Sequence, residues 1–346
     1  MGRPWRSAGA SPTAAFAQTG RYDALIHEWL AGFEDEPFSE HLLFAYDRDR
    51  ELRYGENPHQ RAALYRAAER TGWVFEARQL QGKELSFNNL ADADATWRLA
   101  NDIAHPGCVV VKHLNPCGVA ERPTVVDAFT AARDCDPLSA FGGVVAVNET
   151  LDEPTARQMA AMFLEVIVCP NITEEAAAVL ATKTNLRVLV APLPTRLRLD
   201  VRPIDGGVLV QESDPRSIGE WTVVSDMQPT EAQLRELRLA WTVGAYCKSN
   251  SIVIVQDGAA IGIGVGDQSR VGAAARAVDQ AGGRISGAVA ASEALLPFRD
   301  GLDTLADAGV VALVETGGSI RDLKVIDAAN EHEMVLVFTG MRHFRH

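Results

Sequence analysis

Short runs of aliphatic residues alternate with amphipathic segments along most of the chain. The strand-like runs lie at 109–111, 144–147, 166–169, 186–190, 310–314 and 335–338. Segments with helical spacing of apolar residues separate most of these runs, which is typical of α/β proteins. The stretch 192–220 contains four prolines and interrupts the alternation, so it predicts a boundary between two halves. At 346 residues the chain is long enough for two domains of ordinary size.

Composition narrows the class of protein. Hydrophobic residues make up 47% of the chain and charged residues 23%, which are ordinary values for a globular protein. No apolar run reaches the roughly 18 residues that a membrane span needs. The net charge of −13 argues against a general nucleic-acid binder but allows a small ligand that carries a phosphate. The five cysteines are scattered and odd in number, which predicts reduced thiols in a cytoplasmic protein.

The amino-terminal residues have a different character. Residues 1–22 contain three arginines and no acidic residue, a composition that fits a transit peptide or an irregular tail, and we favour the tail. Residues 22–33 place apolar side chains at helical spacing and predict a short amphipathic helix.

The stretch 109–118 reads Val-Val-Val-Lys-His-Leu-Asn-Pro-Cys-Gly. Its three valines predict a buried strand, and Pro116 and Gly118 predict a turn directly after it. Lys112 and His113 would then lie at the carboxyl end of a strand, where open α/β sheets bind ligands. Three interpretations remain open: a polar turn, a zinc site of the deaminase type, or a metal-free group-transfer site. The absence of His-x-Glu and Cys-x-x-Cys counts against zinc, and in the third interpretation His113 is the acid–base group and Lys112 an electrostatic stabiliser.

Further polar or glycine-rich motifs follow along the chain. Alone, each allows a structural interpretation such as a solvated loop, a tight connection or a helix cap. The segment 260–270 lacks the third glycine of a dinucleotide-binding motif and the Gly-Lys-Ser/Thr ending of a P-loop. Its alternating glycines indicate that a flat ligand or another backbone packs against one face. The motifs are those at 52–60, 79–91, 136–143, 248–250, 262–270, 297–303, 316–322 and 342–346.

Together the motifs resemble one family, the formyltransferase domain of the bifunctional purine-synthesis enzyme. That enzyme formylates aminoimidazole carboxamide ribonucleotide (AICAR) and then closes the ring to inosine monophosphate. The resemblance covers about residue 46 to the end, and its specificity comes from seven motifs in family order. They are Leu-Arg-Tyr-Gly-Glu-Asn-Pro-His-Gln, Lys-His-Leu-Asn-Pro-Cys-Gly, Asp-Pro-Leu-Ser-Ala-Phe-Gly-Gly, Lys-Ser-Asn, Gly-Ile-Gly-Val-Gly-Asp-Gln-Ser-Arg, Pro-Phe-Arg-Asp-Gly and Arg-His-Phe-Arg-His.

The resemblance implies an α/β fold of two duplicated cytidine deaminase-like domains without zinc. Residues 1–45 would form an amino-terminal tail and linker helix, 46–212 the first transformylase subdomain and 213–346 the second. It also implies a homodimer with active sites at the subunit interface, with small-molecule substrates and neither nucleic acid nor membrane as a partner.

The resemblance further implies formyl transfer from 10-formyltetrahydrofolate to the 5-amino group of AICAR, with a monovalent cation such as potassium as a candidate cofactor. Lys112 and His113 would be the catalytic pair, and Asn250 would orient the amine and carboxamide. The nucleotide and its phosphate would be held by Arg53, Tyr54, Arg270 and Arg342. The folate side and the catalytic pocket would be lined by Phe298, Asp303, Phe344 and His346. Further substrate contacts would come from Asn115, Phe141 and Gly142.

Three departures from the family pattern bear on function. Only about 45 residues precede the first motif, so we expect no ring-closing activity. Asp267 stands where the family usually has Gln, and Glu315-Thr316 replaces the usual Gln-Pro. These changes leave two alternatives open, a diverged formyltransferase for another amine and a non-catalytic paralogue that binds folate or nucleotide. The intact Lys112, His113 and Asn250 argue against the second alternative.

Overall fold

The computed structural model describes residues 11–33, 37–68, 71–196, 198–215 and 219–346. These form two compact units. The smaller unit comprises the described residues of 1–75 and 197–213, and the larger unit comprises those of 76–196 and 214–346. Among the described residues, no helix is long and apolar enough to cross a membrane.

The smaller unit contains one long helix and two hairpins. Helix α1 (Pro12–Ala31) begins about ten residues before the predicted helix, so the prediction of an irregular tail was wrong for this part of the chain. Strands β1 (Tyr46–Leu52) and β2 (Ala62–Ala67) pair antiparallel, and a one-turn helix α2 (Trp73–Glu76) follows. The proline-rich stretch, predicted as a boundary, supplies a second antiparallel hairpin, which is formed by Leu199–Ile204 and Gly207–Glu212.

The larger unit is built on one mixed sheet of twelve strands. Its first six strands are β3 (Arg78–Gln81), β4 (Gly107–Lys112), β5 (Asn115–Glu121), β6 (Val144–Val147), β7 (Val166–Cys169) and β8 (Arg187–Val190). Counting the hairpin of the smaller unit as β9 and β10, the other six are β11 (Thr222–Val223), β12 (Ile252–Gln256), β13 (Ala259–Gly264), β14 (Val289–Ser292), β15 (Ala312–Glu315) and β16 (Val335–Phe338).

Helices connect most of these strands, as the alternation in the sequence predicted. The first half of the unit contains α3 (Phe87–Asp102), α4 (Val125–Cys135), α5 (Pro137–Ala140), α6 (Glu153–Ala160) and α7 (Glu174–Leu180). The second half contains α8 (Glu231–Gly244), α9 (Arg270–Ala281) with a 3₁₀ turn after it (Gly282–Arg284), α10 (Asp300–Ala308) and α11 (Asp322–Glu331).

The strand order runs β11-β16-β15-β14-β12-β13-β5-β4-β6-β7-β8-β3. Each half begins at the centre with an antiparallel hairpin (β13–β12 or β5–β4) and continues with a strand that pairs antiparallel with the hairpin (β14 or β6). Two strands parallel to that strand follow, and an antiparallel strand forms the edge. The halves meet where Ala259 of β13 pairs antiparallel with Ala120 of β5. The α/β prediction is confirmed, and the two halves share one topology.

The hairpin β4–β5 corrects the predicted turn. Pro116 and Gly118 lie inside β5, and the chain turns at His113 and Leu114 instead. The pairing register shifts between Val110 and Val111, which is the kind of irregularity that admits a proline within a sheet. A Cβ on Gly118 would lie 1.8 Å from the Ala132 carbonyl oxygen, so this glycine allows α4 to approach the strand.

The direction of the strands also differs from the expectation. Strand β4 runs antiparallel to β6, so the turn after Lys112 lies beside the amino ends of β6–β8. In the other half, Ile252 pairs with Ser292, which places the start of β12 beside the carboxyl end of β14. The turn at 113–114 therefore lies at the carboxyl end of β4, but beside the amino ends of the parallel strands β6–β8.

Glycines in β13 are explained by helix packing. A Cβ on Gly262 would lie 2.1 Å from the Ala277 carbonyl oxygen, and one on Gly264 would lie 2.1 Å from that of Ala273. The backbone of α9 therefore occupies the face that these glycines leave open. Of the two sequence interpretations, a flat ligand or another backbone, the structure shows the backbone.

Candidate active site

The turn that carries His113 is conformationally unusual. His113 has a φ of 53° and Leu114 a φ of 65°, and both residues form the two-residue loop between β4 and β5. Hairpin loops with two positive φ values are normally Asn-Gly or Asp-Gly. For residues with a Cβ, the left-handed conformation costs about 1–2 kcal/mol each, so surrounding contacts must hold this turn in place.

Asp92 on α3 makes the contact with this turn. Its Oδ1 accepts a hydrogen bond from the Leu114 backbone N–H at 2.7 Å. Burial raises the pKa of Asp92, and the Leu114 N–H and the neighbouring His113 and Lys112 oppose that shift. Asp92 was not predicted as a site residue, because an acid within a helical segment looks the same in sequence whether it faces solvent or a turn.

The Lys112 side chain lies against the segment that contains Phe141 and Gly142. Its Nζ donates a hydrogen bond to the Phe141 carbonyl oxygen at 2.7 Å. Gly142 has a φ of +70°, and a Cβ there would lie 3.1 Å from Nζ. The Phe141 ring packs near that of Phe163, with centroids 5.4 Å apart. The structure thus brings together Lys112, Phe141 and Gly142, three residues that the sequence predicted for one site.

Asn115 connects this turn to the other half of the sheet. Its Nδ2 donates to the His113 carbonyl oxygen at 3.1 Å, and its Oδ1 accepts from the Lys248 backbone N–H at 3.1 Å. Asn250 follows two residues after Lys248, and the peptide bond between Ser249 and Asn250 is cis. The predicted catalytic Lys-His pair and the predicted Lys-Ser-Asn motif therefore lie at the same end of the sheet.

Asn250 is fixed by the backbone of Asp267. Its Nδ2 and its backbone N–H both donate to the Asp267 carbonyl oxygen, at 3.0 and 3.1 Å. The Asp267 carboxylate accepts from the Ser269 N–H at 3.0 Å and lies 3.3 Å from Nη2 of Arg276. The hydrogen bonds from Ser269 and Arg276 lower the pKa of Asp267. Its negative charge is thus compensated at the start of α9.

Arg270 lies in a buried ion pair. Its Nη1 donates to Glu293 and to the Ser251 carbonyl oxygen, and the exposed fraction of the two paired side chains is 6% for Arg270 and 0% for Glu293. In the part of the chain that the structure describes, the buried Arg270 Nε and Glu293 Oε1 atoms have no hydrogen-bond partner. Glu293 was not predicted as a site residue, although a carboxylate inside the apolar run Ala-Ser-Glu-Ala-Leu-Leu is a usable sequence signal.

Glu315 is buried close to this pair. Its Oε2 accepts hydrogen bonds from the backbone N–H groups of Leu296 and Gly317, at 3.1 and 3.2 Å. Burial raises the pKa of Glu315 to about 7, and the two backbone N–H groups and Arg270 oppose this shift. Glu315 therefore connects the loop before α10 to the Gly-Gly-Ser turn.

The carboxyl-terminal segment reaches the same end of the sheet. The Arg345 carbonyl oxygen accepts from the Ser249 N–H at 2.9 Å, and Arg345 Nη1 donates to the Tyr246 carbonyl oxygen at 3.0 Å. The exposed Arg342 guanidinium lies over the Phe344 ring at 4.7 Å, and the rings of Phe344 and His346 are 5.7 Å apart. The predicted residues of this segment, Arg342, Phe344 and His346, thus lie within three residues of Arg345, which contacts the Lys-Ser-Asn motif.

The remaining predicted residues lie elsewhere in the chain. The Phe298 ring is exposed and lies 4.3 Å from the Arg321 guanidinium carbon. The Asp303 carboxylate is bound by Arg299 and by His332, and the hydrogen bonds from Arg299 are the main reason that its pKa is lowered. Arg53 and Tyr54 belong to the smaller unit, where the guanidinium lies 5.6 Å from the tyrosine ring centroid.

No group of three or more His, Cys, Asp or Glu residues in the described ranges is arranged to hold a metal ion. The site offers a primary amine at Lys112, an exposed imidazole at His113 and an amide at Asn250. These groups can stabilise an oxyanion, accept a proton and orient a polar substrate.

Comparison with known proteins gives the family. The sequence pattern of the AICARFT/IMPCHase bienzyme matches residues 7–280. The chain belongs to this family. Relatives named bifunctional purine biosynthesis protein PurH include those of Rhizobium johnstonii, 44% identical over 350 residues, and Acidithiobacillus ferrooxidans, 45% identical over 346 residues. The match covers 96% of this chain but 65% and 66% of those family members, so the chain spans just under two thirds of their length.

Proposed function

We propose that this protein transfers a formyl group from 10-formyltetrahydrofolate to the 5-amino group of AICAR, the first of the two reactions for which its family is named. The observation that carries the proposal is the hydrogen bond from the Lys248 N–H to Asn115, at 3.1 Å. It joins the turn that bears Lys112 and His113 to the segment that bears Asn250, two motifs separated by more than a hundred residues.

The chemistry follows from the residue types. An amine conjugated with an imidazole ring is a weak nucleophile, so its attack on the formyl carbon requires a base. The His113 imidazole accepts the proton as the new C–N bond forms. The carbonyl oxygen becomes an oxyanion, which Lys112 stabilises. Collapse of this intermediate breaks the bond from the formyl carbon to N10 of the folate, and N10 gains a proton.

The other predicted residues complete the proposed site. Asn250 orients the amine and the carboxamide, and Asn115, Phe141 and Gly142 shape the pocket around Lys112. We assign the nucleotide and its phosphate to Arg53, Tyr54, Arg270 and Arg342, and the folate side to Phe298, Asp303, Phe344 and His346. Arg270 would act from its buried position, where its Nε has no hydrogen-bond partner among the described residues.

The proposal extends to architecture and partners. The shared topology of the two sheet halves supports a duplication. We propose that the duplicated domains are cytidine deaminase-like and without zinc, and that they span 46–212 and 213–346. We further propose a homodimer with active sites at the subunit interface, a cytoplasmic location and a requirement for a monovalent cation such as potassium. The compensated charge of Asp267 weakens the case for a different amine acceptor, since that carboxylate is already bound by Ser269 and Arg276.

The test is formation of tetrahydrofolate from 10-formyltetrahydrofolate in the presence of AICAR, followed by absorbance, with binding of each ligand measured by calorimetry. Turnover that depends on AICAR supports the proposal, and comparison of potassium with a large organic cation tests the cation requirement. Binding of both ligands without turnover would identify a non-catalytic paralogue. Folate binding without AICAR binding would point to another amine acceptor.

A further inference from the structure

Two carboxylates occupy equivalent places in the two halves of the large sheet. Asp92 is the sixth residue of α3, and Glu236 is the sixth residue of α8. Both helices begin with a capping box, formed by Ser86 and Asn89 in α3 and by Thr230 and Gln233 in α8. Each helix precedes the antiparallel hairpin of its own half.

Each carboxylate binds the turn of that hairpin. Asp92 Oδ1 accepts from the N–H of Leu114, the second turn residue, at 2.7 Å. Glu236 Oε1 accepts from the N–H of Gly258, the second turn residue of β12–β13, at 3.2 Å. Burial raises the pKa of both carboxylates, and the backbone N–H groups of the respective turn oppose the shift. Each half of the sheet therefore has a helix carboxylate that accepts a hydrogen bond from the second residue of its hairpin turn.

The two turns differ in how much they need this support. Asp257 and Gly258 are residue types that readily adopt a positive φ, and their φ values are 50° and 67°. His113 and Leu114 have similar φ values, 53° and 65°, but neither residue favours them. A turn of poor intrinsic preference thus stands in the half that carries the proposed catalytic pair, whereas the turn of the other half consists of residue types that favour this shape.

We propose that Asp92 is a positioning residue for catalysis, whose carboxylate holds the His113–Leu114 turn in the left-handed conformation that the reaction requires. This inference rests on the proposed formyl transfer, since it assumes that His113 acts in that conformation. Asp92 contributes no atom to the reaction in this account. Its effect passes through the Leu114 N–H to the backbone of His113.

The first test compares Asp92→Ala with Glu236→Ala in steady-state kinetics. Misplacing a catalytic group by about 1 Å can cost roughly a hundredfold in rate, so we expect Asp92→Ala to lower kcat by about 10- to 100-fold with a much smaller change in KM. Glu236→Ala removes the equivalent bond at a turn that contains glycine, so its kcat should change little. Equal losses in the two variants would overturn the proposal, because they would show a general effect on folding.

A second substitution makes the test specific to the turn. Leu114→Gly removes the cost of a positive φ, so adding it to Asp92→Ala should restore most of the lost kcat. Asp92→Asn keeps a carbonyl oxygen that can accept the Leu114 N–H and should retain more activity than the alanine variant. No recovery in the Asp92→Ala/Leu114→Gly double variant would contradict a role through backbone conformation.

Hydrogen–deuterium exchange separates this inference from the proposed reaction. Loss of the Asp92 carboxylate should speed exchange of the amides at 112–115 by about tenfold or more, whether or not the protein uses AICAR, because the Leu114 N–H loses its acceptor. Unchanged exchange would overturn the inference even if formyl transfer is confirmed. Faster exchange in a protein that does not transfer a formyl group would support the contact between Asp92 and the turn, and it would refute the proposed role of that contact in catalysis.

Discussion

Asn115 accepts a hydrogen bond from the backbone N–H of Lys248 at 3.1 Å, across the line where the two halves of the large sheet meet. The same side chain donates to the His113 carbonyl oxygen at 3.1 Å. One amide therefore fixes the position of the Lys112–His113 turn relative to the Lys-Ser-Asn segment. The geometry of the proposed site depends on this link because the two motifs lie on different halves.

Asn115→Ala should lower kcat/KM for AICAR by about 10- to 100-fold, because the catalytic pair and Asn250 lose their fixed spacing. Steady-state kinetics measure the change. Asn101→Ala is the control, since Asn101 also donates its side-chain amide to a backbone carbonyl, that of Trp97, within α3. If both variants keep full activity, the link between the halves is not needed for catalysis.

Arg270→Met should destabilise the protein by roughly 3–5 kcal/mol, because it leaves the Glu293 carboxylate buried without its charged partner. Urea unfolding followed by tryptophan fluorescence measures the free energy of unfolding. Arg276→Met breaks an exposed ion pair with Asp267 and should change this free energy little. Adding Glu293→Leu to Arg270→Met should recover much of the loss, and equal stability of the two single variants would contradict the buried-pair account.

The raised pKa of Glu315 predicts that the free energy of unfolding falls as the pH rises from about 5 towards 8. Burial raises its pKa from 4.5 to about 7, so the folded state holds a proton that the unfolded chain releases above pH 4.5. The contribution is fully present below pH 4.5 and is lost as the pH passes 7, amounting to roughly 3 kcal/mol. Glu315→Gln should flatten this decline in urea unfolding at pH 5, 6, 7 and 8. Parallel profiles for the two proteins would show that Glu315 does not titrate in this range.

Asp267→Gln should leave KM for AICAR within about threefold of the parent value, because it removes a partly exposed ion pair but not the backbone carbonyl that binds Asn250. The physical reason is that the Asp267 carboxylate is bound by Ser269 and Arg276, while its carbonyl oxygen holds Asn250. A large fall in KM would instead show that this carboxylate repels the anionic substrate.

Strands in the interior of the sheet were predictable, since they consist almost entirely of buried aliphatic residues. Val144–Val147, Val166–Cys169 and Val335–Phe338 have the limits expected from sequence. The turn at 113–114 was not predictable, because His and Leu rarely adopt positive φ while Pro116 and Gly118 are typical turn residues. The position of the turn is explained by tertiary contacts, because Asp92 binds the Leu114 N–H and α4 packs against Gly118.

The site residues also differ in whether the sequence could predict them. Lys112, Phe141 and Gly142 could be grouped in advance because their motifs are recognisable, and the structure places them in contact. Asp92 could not, because an acid within a helical segment has no local sequence pattern that distinguishes burial from exposure. Glu293 was missed although the apolar run around it is a usable signal.

The central claim is that His113 is the base in formyl transfer to AICAR. The most direct measurement is release of tetrahydrofolate from 10-formyltetrahydrofolate and AICAR by the parent protein and by His113→Ala, with AICAR binding measured for both. We predict turnover by the parent protein, a loss of about 10²- to 10⁴-fold in kcat for the variant, and AICAR binding retained. A variant with undiminished kcat, or a parent protein that binds both ligands without turnover, would contradict the account.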